Sequence, residues 1–156
     1  MNSKISLILI SHKSKKLVLK YIKNIYNKIN IIIVDNSKDF SLEKEIKKNY
    51  PNIIFKFMNN NGYGAAINYG SKFVKTKYFI ISNPDLLGLN NNNIEIFYQS
   101  AITLNDNFSV LGPRFVNTNP KSIKQSDISV EISEMRFLSG ACMFFNKKNF
   151  DLLGGF

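Results

Sequence analysis

The strongest constraint on the fold is a repeated alternation between short apolar runs and segments with helical spacing. Residues 5–10 (ISLILI) and 31–34 (IIIV) are continuous apolar runs, the pattern of strands that are buried on both faces of a sheet. Between them, apolar side chains recur at roughly helical spacing among lysines: Leu17, Leu19, Tyr21, Ile22, Ile25, Tyr26 and Ile29. This order of elements predicts a βαβ unit at the start of the chain.

The same rhythm continues through the middle of the chain. Ser41 is suited to cap a short helix that ends near Asn49, because Pro51 follows. Further along we expect a strand over residues 53–58, a helix from near Tyr63 to about Lys75, a strand over 78–82 and a helix over roughly 92–103. The alternation predicts an α/β fold, a Rossmann-like doubly wound and mostly parallel sheet flanked by helices.

The rhythm changes after residue 107. We expect a strand over residues 108–116 with a bend at Gly112-Pro113, a polar loop over 117–127 and a strand over 137–145. The length of 156 residues is that of a single domain with one sizeable core.

Charge and cysteine content narrow the class of function. Lys and Arg exceed Asp and Glu by 21 − 11 = +10, so the surface attracts phosphates, whether of a nucleotide diphosphate, an anionic lipid headgroup or a nucleic acid. Cys142 is the only cysteine, which excludes an internal disulfide and favours a reducing compartment. We therefore expect a cytoplasmic location. No run approaches the ~20 apolar residues that span a bilayer.

Four polar segments directly follow apolar runs, and this placement predicts a ligand site. They are Ser11-His12, Asp35-Asn36, residues 60–64 and residues 83–85. If the runs are parallel strands, all four segments lie at the carboxyl edge of one sheet, where open α/β sheets bind ligands.

The segment at Asp35 has two interpretations. Asp35, Asn36 and Ser37 form an ordinary turn in many proteins, because Asx side chains bond to nearby backbone amides. A carboxylate at this edge can also accept a hydrogen bond from a nucleobase or from a ribose hydroxyl.

The glycine loop and the segment after the fourth predicted strand also have two interpretations each. Asn60, Gly62 and Gly64 precede a helix whose first N–H groups can bind a diphosphate, although the spacing is neither GxGxxG nor a P-loop and also suits a tight turn. Asn83-Pro84-Asp85 is either a plain turn or a site where one carboxylate holds Mg²⁺ or Mn²⁺ against phosphate oxygens.

Some residue types argue against other chemistries. His12 is the only histidine and has no partner for a nucleophilic triad, and Cys142 in an apolar strand is expected to be a buried, inert thiol. Gly70 lowers helix propensity by about 1 kcal/mol relative to Ala, so a close approach by another segment is expected there.

Taken together, the segments resemble the nucleotide-binding half of a family 2 glycosyltransferase of the GT-A fold, nearest to its rhamnosyltransferase-like members. The matching segments, in order, are ISLILIS, IIIVDNS, NNGYGAAINYG, YFIISNPD and FLSGACMFFNKKNFDLLGGF. The resemblance implies one domain over residues 1–156, with a nucleotide-binding part to about residue 106 and the start of an acceptor-side part over 107–156.

The resemblance also implies roles for individual residues. Nucleotide binding is expected from Ser11, His12, Asp35, Asn60, Gly62, Asn68 and Asn83. Asp35 would contact the base or ribose, and Asn68 would hold the loop that shapes the pocket. Asp85 would be the carboxylate beside Mg²⁺ or Mn²⁺, and Gly140 and Ala141 would lie under the donor sugar and the acceptor.

Two departures from the family pattern affect these expectations. Asn83 stands where the commoner motif has its first carboxylate, as in the rhamnosyltransferase-like branch. The general base is expected in a Glu-Asp pair beyond Phe156, so we expect this form to be truncated before it, to bind donor and to transfer sugar very slowly. The remaining late carboxylates, none of which fits that motif, are Asp127, Glu131, Glu134 and Asp151.

The leading hypothesis is a transferase that moves a sugar from a nucleotide-diphosphate sugar to a polysaccharide or lipid-linked acceptor with inversion. The alternatives are a non-catalytic nucleotide-sugar-binding remnant, a nucleotidyltransferase and a basic nucleic-acid-binding domain. Lysines scattered over several helices argue against a nucleic acid partner. We also expect an exposed apolar patch that favours self-association or contact with the inner face of the plasma membrane, formed by Phe137, Phe144, Phe145 and Phe156.

Overall fold

A computed structural model of the protein describes residues 4–26, 28–114 and 132–156. The elements in these residues are β1 (Ile5–Ser11), α1 (Lys15–Ile25), β2 (Asn30–Asp35), α2 (Phe40–Asn49), β3 (Ile54–Phe57), α3 (Tyr63–Ser71), β4 (Tyr78–Ser82), α4 (Asn91–Thr103), β5 (Val110–Leu111), β6 (Cys142–Asn146) and α5 (Lys147–Leu152). The alternation of strands and helices up to α4 is as the sequence predicts.

The strands form one six-stranded sheet in the order β3-β2-β1-β4-β6-β5. The first four strands in that order are parallel. Strand β6 runs antiparallel to both β4 and β5. The expected α/β fold with a mostly parallel sheet is confirmed, and the antiparallel part is confined to one side of it.

Helices cover both faces of the sheet, which explains why its central strands read as unbroken apolar runs. Leu7 and Leu9 of β1 pack in the cluster that contains the buried residues of α1, α2 and α4. Ile8 and Ile10 point to the opposite face, where they pack with buried residues of α3 and α5. Alternate residues of one strand therefore belong to two different cores.

Helix α2 is capped by Asp39, so the prediction of Ser41 as the N-cap is wrong. The Asp39 carboxylate accepts from the Leu42 N–H at 2.9 Å and from the Ser41 hydroxyl at 2.6 Å. These hydrogen bonds, the Ser41 contact first, lower the pKa of Asp39. A carboxylate two residues earlier captures the free N–H group and leaves Ser41 inside the first turn.

Helix α3 ends at Ser71, earlier than the predicted end near Lys75. The N–H groups of Phe73 and Val74 donate to the carbonyls of Gly70 and Ser71, at 3.0 and 3.1 Å, in the i to i−3 pattern of a tighter turn. This turn places Val74 in the core.

The last two strands are shorter than predicted or displaced along the chain. The strand predicted over 137–145 begins at Cys142 and ends at Asn146, and the one predicted over 108–116 covers only Val110 and Leu111. The predicted loop over 117–127 and residues 115–116 lie outside the described residues. Helix α5, which was not predicted, starts at once because the Asn146 side chain accepts from the Asn149 N–H at 3.4 Å.

The prediction of an exposed apolar patch is wrong for two of its four residues. Phe144 and Phe145 are buried, because β6 lies between β4 and β5 and directs them into the two cores. Their rings stack on Phe97 and Phe79, each with centroids 5.1 Å apart. Phe137 and Phe156 are exposed as expected. Within the described ranges, no helix has the length and apolar character needed to cross a bilayer.

Candidate functional site

The polar segments that follow β1, β2, β3 and β4 all lie at the carboxyl edge of the sheet. The start of β6 reaches the same edge because this strand is antiparallel to β4, with Cys142 opposite Ser82. The N–H of Asn83 donates to the carbonyl of Ala141 at 3.0 Å and joins the two segments. The structure therefore brings the predicted nucleotide, metal and sugar-side residues to one edge, with Asn68 as the exception described below.

A chain of side-chain hydrogen bonds links the loops after β1, β2 and β3. The Nδ1 atom of His12 lies 2.7 Å from Oδ1 of Asn36, and Nδ2 of Asn36 donates to Oδ1 of Asn60 at 3.2 Å. His12 and Asn60 are exposed, so their free polar atoms are available to a ligand. Asn36, which links them, lies in one of the four predicted site segments, but no role of its own was predicted for it.

Asp35 is fully buried and organises the turn after β2. Its Oδ1 accepts from the N–H groups of Ser37 and Asp39 at 3.1 and 2.9 Å, and its Oδ2 accepts from the Ser37 hydroxyl at 3.0 Å. The Lys13 N–H donates to the same hydroxyl at 3.0 Å. These bonds are those of the turn interpretation, and a ligand contact through Oδ2 remains a prediction. Ser11 is also buried and bonds to Ser14.

The loop before α3 leaves the first N–H groups of the helix open. Gly62 has φ +94°, a left-handed conformation that a residue with Cβ adopts only with strain. No side chain caps the N-terminus of α3. Uncapped N–H groups at the positive end of the helix dipole provide favourable interactions for a phosphate.

The segment after β4 is a turn that presents an exposed carboxylate. The Leu86 N–H donates to the carbonyl of Asn83 at 3.2 Å, which closes a four-residue turn with Asp85 at its third position. In the part of the chain that the structure describes, no hydrogen bond or ion pair to the Asp85 carboxylate is found. The turn interpretation and an available carboxylate are thus both present in this segment.

Tyr63 lies in the predicted site segment 60–64, but no role of its own was predicted for it. Its hydroxyl donates to the carbonyl of Gly140 at 3.1 Å, which joins the start of α3 to the turn before β6. Burial, followed by the nearby Cys142 and Asp85 groups, raises the pKa of Tyr63 to about 12. The hydroxyl is therefore a neutral donor at physiological pH. Its place between Gly62 and Gly64 in the predicted loop is the sequence signal that could have identified it.

Asn68 stays a predicted support of the nucleotide loop. It lies further along α3, and its side-chain amide bonds to the backbone of Phe156. Gly140 is exposed, and Ala141 is half-buried beside Asn83.

The donor set at this edge fits a hard cation only if a ligand supplies further oxygens. Among residues 4–26, 28–114 and 132–156, no group of three or more His, Cys, Asp or Glu side chains could hold a metal ion. Mg²⁺ and Mn²⁺ commonly use one or two protein carboxylates, with phosphate oxygens and water in the other positions. Asp85 is exposed and so provides one such carboxylate.

Of the other candidate carboxylates, one is ion-paired and one is exposed. Asp151 forms an ion pair with Lys147, and Glu134 is exposed. Asp127 and Glu131 lie outside the described residues.

A separate cleft of about 350 Å³ lies at the opposite, amino edge of the sheet. Lys4, Lys77, Tyr78 and Tyr98 contribute to its walls, and none of the predicted site residues does. The volume of a cleft therefore does not identify the candidate site. The loops of that site form an open edge and not an enclosed cavity.

Comparison with known proteins gives a family match over almost the whole chain. Residues 6–154 match the sequence model described as glycosyl transferase family 2. A search of curated proteins found no significant match.

Solved structures with the same fold are distant in sequence. A mannosyltransferase, PcManGT from Pyrobaculum calidifontis in complex with GDP-Man and Mn²⁺, aligns over 100% of this chain and 48% of its own with TM-score 0.74 and 15% identity. S. aureus TarS residues 1–349 aligns over 96% and 49%, with TM-score 0.69 and 18% identity. A 4-diphosphocytidyl-2C-methyl-D-erythritol synthase from Anaerococcus prevotii aligns over 97% and 76%, with TM-score 0.56 and 14% identity. The chain spans about half the length of the first two structures.

Proposed function

Because the chain belongs to glycosyl transferase family 2, we propose that its carboxyl edge binds a nucleotide-diphosphate sugar with a divalent cation and serves sugar transfer. The observation that carries this proposal is the arrangement of Asp85 and the uncapped start of α3 at the same edge of one sheet. A carboxylate that can hold a cation and open N–H groups are the two kinds of group that a diphosphate requires.

The nucleoside would bind over the loops after β1 and β2. His12 and Asn60 are exposed there, and the buried side chains of Asp35 and Ser11 support the loops from below. The predicted contact of Asp35 with the base or ribose would require a movement of Ser37 that exposes the buried carboxylate. Asn83 and Gly62 line the same pocket toward the phosphates.

The diphosphate would lie between the start of α3 and Asp85. A bound Mg²⁺ or Mn²⁺ would supply positive charge that stabilises the diphosphate as a leaving group. The chain itself contributes the Asp85 carboxylate as the ligand and the N–H groups of α3 as fixed donors. The PcManGT complex with GDP-Man and Mn²⁺ and a TarS complex with UDP support this class of donor.

The sugar would lie beside the turn before β6. Gly140 has open space where a Cβ would be, and Tyr63 covers the turn from the α3 side through its bond to the Gly140 carbonyl. Ala141 adjoins Asn83 and brings this turn next to the cation position. We extend the proposal to a rhamnosyltransferase-like enzyme that glycosylates a polysaccharide or lipid-linked acceptor with inversion, on the strength of Asn83 in the metal motif.

The role of Asp85 is tested by thermal shift with nucleoside diphosphates and nucleotide sugars, with Mn²⁺ or with EDTA. We expect the nucleotide to raise Tm more with Mn²⁺, because the cation offsets the repulsion between the Asp85 carboxylate and the negative charges of the diphosphate. Asp85→Asn should abolish the metal-dependent part of the shift.

Glu95→Gln is the matched control, because Glu95 is exposed on α4 and hydrogen-bonds to Gln99. It should bind nucleotide like the wild type. A wild-type protein whose Tm responds equally to nucleotide in Mn²⁺ and in EDTA would contradict the assignment of Asp85.

A further inference from the structure

Helix α3, which begins at the proposed nucleotide loop, is tied to residues 154–156 by a reciprocal amide pair. Nδ2 of Asn68 donates to the carbonyl of Phe156 at 2.8 Å, and the N–H of Phe156 donates to Oδ1 of Asn68 at 3.0 Å. Both polar atoms of one side chain are thus used by the backbone of one distant residue.

Two glycines make this approach possible. A Cβ on Gly64 would lie 2.9 Å from Cβ of Phe156, and a Cβ on Gly155 would lie 2.4 Å from Oδ1 of Asn68. Gly155 also has φ +82°, which favours glycine for its conformation. The segment therefore lies directly on the first two turns of α3.

The ring of Phe156 extends this contact to the core of the same sheet face. It packs against Phe145 and Phe150, with centroids 5.9 and 6.1 Å away. Tyr63 provides a second tie, from the start of the same helix to Gly140. Helix α3 is thus joined to both ends of the stretch from residue 140 to residue 156.

We propose that Asn68 is a positioning residue, which fixes residues 154–156 on α3 so that nucleotide binding at the start of the helix orders this segment. The proposal rests on the proposed function, because the nucleotide acts through the loop at Gly62. Phosphates bound by the first N–H groups of α3 would hold Gly64 in place, and Gly64 is in direct contact with Phe156. Ordering at one contact favours ordering at the next when both belong to one packed unit.

The first arm of the test needs no nucleotide. NMR amide exchange is measured at Phe156 in the whole chain, in the wild type, Asn68→Ala and Asn92→Ala, with folding checked by circular dichroism. Loss of two hydrogen bonds should speed exchange at Phe156 roughly tenfold in Asn68→Ala. Asn92 is an exposed residue of α4, and its substitution should leave the rate unchanged.

Gly155→Ala provides a second variant that breaks the pair from the other side, and it should give the same faster exchange. Asn68→Asp keeps the acceptor for the Phe156 N–H and should restore part of the protection. Wild-type exchange at Phe156 in folded Asn68→Ala would overturn the positioning role.

The second arm adds a nucleoside diphosphate and Mg²⁺. Exchange at Phe156 should slow in the wild type, and this slowing should be lost in Gly155→Ala, which breaks the pair outside the predicted nucleotide site, while nucleotide still raises the Tm of that variant. If nucleotide raises the wild-type Tm without changing exchange at Phe156, the coupling is wrong. If nucleotide has no effect on the wild-type Tm, the proposed function is wrong, and the first arm still decides whether Asn68 holds the segment.

Discussion

At the scale of single residues, one buried carboxylate supports several exposed groups. Asp35 accepts hydrogen bonds from the N–H groups of Ser37 and Asp39, and the turn that these bonds hold places Asn36 within hydrogen-bonding distance of His12 and Asn60. A side chain with no exposed surface can therefore determine which polar atoms reach a ligand.

Asp35→Ala should lower the free energy of unfolding by about 1–3 kcal/mol, because it leaves buried N–H groups without an acceptor. Urea denaturation measures this loss. The same variant should weaken nucleoside and nucleoside diphosphate binding to a similar extent, on the order of 1–3 kcal/mol, by titration.

Asp151→Ala is the control for the loss of a carboxylate, since its ion pair with Lys147 lies on the surface of α5. Exposed pairs of this kind contribute about 0–1 kcal/mol. Equal stability losses in the two variants would show that the turn does not depend on Asp35.

At the scale of elements, helix α3 approaches the sheet more closely than any side chain at Gly70 would allow. A Cβ at this position would lie 2.8 Å from Cγ2 of Ile8 and 3.1 Å from Cγ2 of Val34. The close approach that the sequence suggested at Gly70 is therefore present, and it sets the height of the proposed nucleotide loop above the sheet edge.

Gly70→Ala should destabilise the protein by about 1 kcal/mol. Overpacking a tight core typically costs about 1–3 kcal/mol, which exceeds the gain of about 1 kcal/mol in helix propensity. Gly140→Ala, where the added Cβ meets nothing within 4 Å, should leave stability nearly unchanged. Urea unfolding compares the two, and a more stable Gly70→Ala variant would contradict the close contact.

At the scale of the whole molecule, several acidic groups are held in their neutral form by burial. Burial raises the pKa of the Cys142 thiol from 9.0 to about 12, and it also raises the pKa of the Tyr21 hydroxyl. The Tyr63 hydroxyl is shifted in the same direction. The native state therefore keeps protons that the unfolded chain releases.

Stability should be fully present below about pH 9 and should decrease as the pH rises toward 12, because the unfolded state binds fewer protons over this interval. At a pH of about 10.5, Cys142 alone accounts for a loss of about 2 kcal/mol relative to pH 8. Urea unfolding at both pH values checks the sign. Cys142→Ala should show a smaller decrease, and an equal one would mean that the thiol ionises normally in the native state.

The sequence pattern alone is enough to predict the alternation of strands and helices up to α4, the buried central strands and the loops that end them. These features follow from local pattern, since continuous apolar runs such as residues 31–34 are stable only when buried on both faces. The turns after β2 and β4 could also be predicted from nearby residues, because their hydrogen bonds join residues close in sequence. Asp39 and Ser41 are both suitable N-cap residues for α2, and the sequence pattern did not distinguish between them.

The meeting of distant segments at the site depends on strand order and packing, which local patterns do not encode. Residues 140–141 reach the carboxyl edge because β6 enters the sheet antiparallel beside β4, a pairing that the pattern of residues 137–145 does not specify. Tyr63 and Gly140 are 77 residues apart in sequence, and Asn68 and Phe156 are 88 apart. The strand order and the small residues Gly64 and Gly155 allow these contacts. A local sequence pattern does not show which distant residue will occupy the space beside a glycine.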